Sequence, residues 1–194
     1  MIHEIQVLDQ DITLAINSLH SPFTDHVWMF FSSKTVWIPF YVLLLAFLVW
    51  KLGWKKALFV IMGIALTTLA CDQGANIVKH SVERLRPCYD ERMLHGGLNI
   101  LEGRGGRFGF FSAHAADTFG LASCIFGCLK MSRDTSRKWL GAGLFCWAGM
   151  VSISRVFVGK HFFGDVLVGI AVGLVFGSLF AWIVRESVRR FART

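Results

Sequence analysis

The sequence predicts an all-α protein: a polytopic membrane helix bundle of about five to six helices with an interfacial helix at its N-terminus. Three observations carry that reading. Of 194 residues, 54% are hydrophobic and 14% aromatic, and the mean hydropathy is positive, which is too apolar for an ordinary soluble domain. Five apolar runs approach the roughly 20 residues a helix needs to cross a hydrocarbon core of about 30 Å. Charged residues make up only 17% of the chain and gather between these runs, whereas a water-solvated helix carries them along one face.

Residues 1–34 form the N-terminal segment, where Ile5, Leu8, Ile12, Leu14, Ile16 and Leu19 recur at helical spacing. That pattern suits a helix lying in the interface; an ordinary packed amphipathic helix shows it too. The segment has acidic residues and no basic n-region, so no cleavable signal peptide is expected. The first apolar run covers residues 36–50 and extends back through 28–31 if Lys34 snorkels. The others cover 57–78, 115–129, 139–158 and 162–184. No repeat or low-complexity linker interrupts the chain, so one domain over residues 1–194 is expected.

The net charge of +7 raises the question of a nucleic-acid partner, which the placement of the charges answers against. Eleven of the twenty Lys and Arg lie in three segments between apolar runs: Lys51, Lys55 and Lys56; Lys130, Arg133, Arg137 and Lys138; Arg185, Arg189, Arg190 and Arg193. The partner they imply is the lipid bilayer. If five helices alternate, all three segments share one side, cytoplasmic by the positive-inside rule. Of the five cysteines, only Cys88 lies outside the runs; no disulfide framework or zinc site is implied, and Cys88 is expected to be the thiol open to a membrane-impermeant reagent.

The opposite side collects almost all the residues that suggest chemistry, with the motifs lying between positions 79 and 165. Lys79 and Arg86 stand at the outer end of the second run, where a point charge and a planar fork suit phosphate oxygens. Lipid headgroups would attract the same cluster, and Pro87 is expected to end the helix. Ser112 is placed to cap the third helix, whose first free amides, beginning with Ala113, make an anion site. His114 follows, and Asp117 one turn later orients a neighbour or simply favours the first turn. His161 and Asp165, four apart, share a helix face, so the carboxylate can fix the imidazole tautomer and leave the other nitrogen nucleophilic. Arg155 precedes them. Asp72 and Asn76 are expected to support Lys79 through a polar network on one helix face, and the glycine- and arginine-rich loop 96–109 is a flexible loop or a lid.

These segments, Lys79 to Arg86-Pro87, Phe111-Ser112-Ala113-His114, and Ser154-Arg155 to His161 and Asp165, resemble the type 2 phosphatidic acid phosphatase family. That family also includes bacterial non-specific acid phosphatases, glucose-6-phosphatase and vanadium haloperoxidases. Phe111 and Ala113 replace the usual proline and glycine of the middle motif. The resemblance implies a lipid phosphatase without cofactor or metal. His161 attacks phosphorus, Asp165 steadies the imidazolium, and His114 protonates the leaving oxygen and then activates water. Lys79, Arg86, Ser112, the Ala113 amide and Arg155 hold the phosphoryl oxygens.

The substrate implied is a membrane lipid phosphate: undecaprenyl diphosphate first by a small margin, then phosphatidic acid or phosphatidylglycerophosphate, and lipid A. A bacterial plasma (inner) membrane with the site facing the periplasm is expected; the oligomeric state is left open. Transfer of the phosphoryl group to another lipid is an alternative on the same site, and a non-enzymatic transport or interaction protein is the alternative from another class.

Overall fold

The computed structural model describes residues 2–131 and 137–191, and of residues 2 and 137 the backbone alone. Among the described residues there are eight α-helices and no strand beyond one isolated bridge. They are α1 (Ile2–Asn17), α2 (Pro22–Ser32), α3 (Ile38–Leu52), α4 (Trp54–Val82), α5 (Glu91–His95), α6 (Ala113–Cys128), α7 (Arg137–Phe157) and α8 (Phe163–Phe191). The all-α bundle is the expected class. The helix count exceeds five to six because the N-terminal segment folds as two helices and a short α5 follows α4.

Among the described residues four stretches are long and apolar enough to cross a membrane: Thr35–Leu52, Trp54–Val82, Lys138–Phe157 and Phe163–Phe191. The remaining apolar run is α6, whose 16 residues span about 24 Å. It sits at the centre, packed against α4, α7 and α8, and ten of its residues are buried. Its Ala, Gly, Ser and Cys side chains let neighbouring backbones approach. On α8 the facing positions are Gly169, Gly173 and Gly177. A Cβ at Gly169 would stand 2.5 Å from the Ser112 carbonyl oxygen, and one at Gly173 would stand 2.9 Å from the Gly120 nitrogen.

The first span does not extend back through residues 28–31. A capping box breaks the chain instead: Ser21 accepts from the Thr24 amide, the Thr24 hydroxyl accepts from the Ser21 amide, and Pro22 opens α2. Trp28 of α2 then stacks on Phe157 of α7, ring centres 4.2 Å apart.

The orientation of α1 reverses the usual amphipathic arrangement. Ile5 and Leu8 point outward, while Thr13 and Asn17 are buried. Asn17 Nδ2 lies within hydrogen-bond distance of the carbonyls of Val156, Phe157 and Asn99, and Asn17 Oδ1 accepts from the Asn99 amide at 2.7 Å. An interfacial helix with its apolar side outward fits this placement, since the polar side has protein partners to satisfy it.

Lys51, Lys55, Lys56, Lys130, Lys138, Arg185, Arg189 and Arg190 lie at helix ends away from Ser112 and Asp165. Arg133 and Arg193 lie outside the described residues, and Arg137 is described by its backbone. At the α3–α4 turn Trp50 and Trp54 are exposed, with Lys51 and Lys55 ammonium groups 5.5 and 5.7 Å from their ring centres. Tryptophan paired with lysine marks a membrane–water boundary.

Candidate active site

Three helix ends and one turn meet at the other end of the bundle. The turn runs from α7 to α8 and begins with Gly159, left-handed at φ +74°, whose successor Lys160 donates its amide to the Arg155 carbonyl at 3.0 Å. This 6→1 closure reverses the chain and places His161 directly after α7. A Cβ at Gly159 would stand 2.9 Å from the Asn99 oxygen, so the close approach also calls for glycine.

Asp165 then occupies the first turn of α8. Its Oδ2 accepts from the Phe162 amide at 3.1 Å, which is half of a capping box, and lies 3.6 Å from His161 Nδ1. That distance is beyond a direct hydrogen bond, and Nδ1 has no other partner among the described residues; catalytic contacts of this kind tighten when ligand fills the site. Burial pushes the His161 imidazole down to about 4, against the opposite pull of the Asp165 carboxylate. The ring is therefore neutral, with a free lone pair, at ordinary pH.

Ser112 brings the second segment in. It is fully buried, caps α6 through the Ala115 amide, and donates its own amide to the Asp165 carbonyl at 3.0 Å. The first-turn amides of Ala113 and His114 have no partner within the helix. Arg155 stands across the site, buried, paired with Glu102 at 3.4 Å and hydrogen-bonded to the Ser32 hydroxyl, which itself donates to Glu102.

Arg86 arrives differently from the expected route, because Pro87 does not end α4. The helix stops at Val82, with Glu83 in the left-handed region at φ 51°. Residues 84–86 are then extended and pair with 107–109: the Arg86 amide donates to Arg107 at 3.0 Å and the Gly109 amide to Arg84 at 2.9 Å. Arg86 Nε donates to the Phe108 carbonyl, and Pro87 opens a 3₁₀ turn instead. The glycine- and arginine-rich loop is thus pinned, with Lys160 donating to the Gly103 carbonyl and Tyr89 to the Gly105 carbonyl. Cys88 is fully buried beneath it, so it does not offer the accessible thiol expected from the sequence.

Arg155 and Arg86 both act electrostatically on His161, and Arg155, Lys79 and His161 on His114. The structure therefore gathers Lys79, Arg86, Ser112, Ala113, His114, Arg155, His161 and Asp165 into one neighbourhood. Of the three supporting residues, Asp72 and Asp117 line the site's edge with Lys34. Asn76 does not join them: it is exposed on the flank of α4 and has no side-chain hydrogen bond among the described residues, because the inward face of α4 runs through Cys71 and Ala75. Lys34 turns toward these acids, so the snorkelling that would have carried the first run back through 28–31 is not the arrangement found.

Below His114 the bundle opens into a cavity of about 330 Å³ between α3, α4, α6 and α7. It is walled by Trp37, Tyr41, Leu44, Leu121, Trp147 and Val151, with His114 and Asp117 at its polar edge. Its size falls at the lower end of ordinary ligand pockets.

Four participants were absent from the expected set: Ser32, Glu102, Arg84 and Asp9. Arg84 Nη1 donates to Asp165 Oδ1 and its Nη2 to Asp9 Oδ2, each at 2.6 Å. Asp9, Thr13 and Asn17 recur every four residues, a polar stripe that was visible in the sequence as a docking face.

Comparison with known proteins adds a family match, two relatives and two similar structures. A profile of the PAP2 superfamily matches residues 54–189. A lipid A 4'-phosphatase of Bacteroides thetaiotaomicron is 36% identical over 195 residues, covering 98% of this chain and 83% of that protein. A lipid A 4'-phosphatase of Porphyromonas gingivalis is 30% identical over 171 residues, covering 88% and 70%. In fold, the chain is similar to a transmembrane PAP2-type phosphatidylglycerolphosphate phosphatase from Bacillus subtilis, with TM-score 0.74, 21% identity, and 97% of this chain and 89% of that one covered. It is also similar to Aquifex aeolicus LpxE, with TM-score 0.59, 23% identity, and 88% and 92% covered.

Proposed function

The chain belongs to the PAP2 superfamily, and on that premise we propose that this multi-pass membrane lipid phosphatase removes the 4'-phosphate of lipid A through a phosphohistidine on His161. The observation that carries the mechanism is the junction at Asp165, which meets the Ser112 amide, the Phe162 amide and the His161 ring in one buried place. The substrate rests on the two relatives named for lipid A, which move lipid A ahead of undecaprenyl diphosphate.

In the first step His161 Nε2 forms a bond to phosphorus as the bond to the leaving oxygen breaks, and His114 gives that oxygen a proton. In the second, water attacks the phosphohistidine, His114 takes the water's proton, and the P–N bond breaks to free phosphate and His161. Lys79, Arg86, Arg155, the Ser112 hydroxyl and the Ala113 amide hold the equatorial oxygens, where positioned charge does most of the work in phosphoryl transfer. No metal enters either step. Asp72 and Asp117 steady Lys79 from its flank. The apolar cavity lies on the His114 side, where the leaving group departs, and receives part of the lipid. Exposed Arg104 and Arg107 on the rim offer charge to a second phosphate.

The basic clusters support an orientation with the opposite end in the cytoplasm and the site at the periplasmic face of the inner membrane. Phosphate release from bis-phosphorylated lipid A, undecaprenyl diphosphate and phosphatidylglycerophosphate in detergent tests the assignment. Lipid A is expected to give the highest kcat/KM; a higher value for either other lipid overturns the substrate. Conversion of lipid A without free phosphate would instead mark transfer to an acceptor. His161→Ala is expected to lose activity by several orders of magnitude, and retained turnover ends the phosphohistidine.

A further inference from the structure

Of the groups behind Asp165, Arg84 lies between Lys79 and Arg86 without being one of the residues that define that motif, and Asp9 and Thr13 lie outside all three segments. Asp165 is fully buried, and a buried carboxylate keeps its charge only against a partner. That partner is Arg84, whose fork spans two carboxylates at 2.6 Å each, Asp165 on α8 and Asp9 on α1. Its guanidinium sits 4.1 Å from the ring centre of Phe162, the residue after His161. Asp9 also accepts from the Gly164 amide at 2.7 Å, and Thr13 accepts from the Phe163 amide at 3.0 Å. A Cβ at Gly164 would meet the Asp9 carboxylate at 2.8 Å. Every backbone amide from Phe162 to Gly164 is therefore held by Asp165 or by α1.

We propose that Arg84 is a positioning residue for the nucleophile, fixing the charge and aim of the Asp165 carboxylate toward His161, with Asp9 anchoring it from α1. The proposal rests on the reading of His161 as the nucleophile. A planar fork is required, because an ammonium cannot hold two carboxylates in one plane. His161 faces Asp165 from α8, Arg155 from α7, Arg86 from the segment after α4 and His114 from α6, with Lys160 beside it in the chain. Without Arg84 the buried Asp165 carboxylate keeps its charge only by drawing a proton onto the neighbouring His161 ring, so His161 becomes more basic.

The test is the pH dependence of kcat and KM for purified wild type, Arg84→Gln, Arg84→Lys and Asp9→Asn. The substrate is bis-phosphorylated lipid A, or whichever of the three lipids is turned over fastest. Arg84→Gln should lower kcat roughly 10- to 100-fold, taking as a guide the loss seen when a partner that orients a metal-bound histidine is removed. Its KM should hold, and its acid limb should move up by about one pH unit.

Arg84→Lys, which restores charge without the fork, should return the limb to its wild-type place and recover part of kcat. Asp9→Asn leaves the Arg84 charge on Asp165, so kcat should fall by a smaller factor with the limb unmoved. A limb that stays put in Arg84→Gln, or a loss that appears in KM, overturns the proposal. If Arg84→Gln fails to fold, a displaced limb in Arg84→Lys or Asp9→Asn overturns it equally. An active His161→Ala would sink the nucleophile instead, whatever the Arg84 variants do.

Discussion

Behind His161 each oxygen of Asp165 has its donor, from Arg84, Phe162 and Ser112, and α1 holds the turn from outside. In front, below His114, the bundle opens into an apolar cavity where Asp117 Oδ1 and Trp147 Nε1 have no hydrogen-bond partner among the described residues. The first region resembles a rigid core: the glycine seam of α6 and α8 seats Ser112, and Ser112 meets Asp165. The second has room and few directional contacts. Catalytic geometry tolerates little displacement, whereas a pocket for a flexible tail gains from adaptable walls. On the proposed mechanism the two requirements fall on opposite sides of one histidine pair.

Asp165→Asn breaks the fixed side most sharply, since it removes the charge facing His161 and its partner to Arg84. Its kcat should fall about 10³- to 10⁴-fold with little change in KM, measured by phosphate release. A second break comes with pH. His161 sits near 4 in the folded protein and near 6.5 when unfolded, so between those values the unfolded chain binds more protons. The contribution to stability is whole above about 6.5, falls as pH drops toward 4, and is flat below. His161→Gln should remove that portion of the Tm–pH curve and leave the rest.

Gly173→Val loads the seam and should lower stability by about 1–3 kcal/mol, read as a Tm shift in detergent. On the open side, Leu121→Trp fills cavity space equal to a few methylenes, worth about 0.8 kcal/mol each. KM should rise roughly tenfold while kcat is retained, which sharpens the contrast with Asp165→Asn. The smallest effect is Glu83→Gly, which relieves a left-handed non-glycine residue and should add about 1 kcal/mol of stability.

Much of the bundle was readable because lipid-facing helices must carry apolar runs, and Lys79, Arg86, Ser112, His114, Arg155, His161 and Asp165 could be singled out together because the proposed chemistry asks for those types at those spacings. The break between α1 and α2 was also written in Ser21, Pro22 and Thr24, a capping signal overshadowed by the apolar periodicity around it. Arg84 and Asp9 were harder. Their meeting depends on α4 ending at Glu83, a left-handed residue that is not glycine, and no local signal announces it. Asn76 failed for the reverse reason: spacing placed it near Lys79, but tertiary packing turned that flank of α4 outward. Glu102 and Ser32 reach Arg155 across 53 and 123 positions of sequence, beyond any local pattern.

The short, enclosed α6 also decides a question of parity. Among the described residues four helices are long and apolar enough to cross, and with four crossings the end of α4 and the end of α7 that carries Arg155 would emerge from opposite faces of the bilayer. On the proposed topology α6, the run 115–129 of the sequence, makes the fifth crossing despite having only 16 residues. Its presence makes the count odd, so that the segment after α4 and the turn before α8 surface together. A topology drawn without it would divide Arg86 from His161 by the thickness of a membrane.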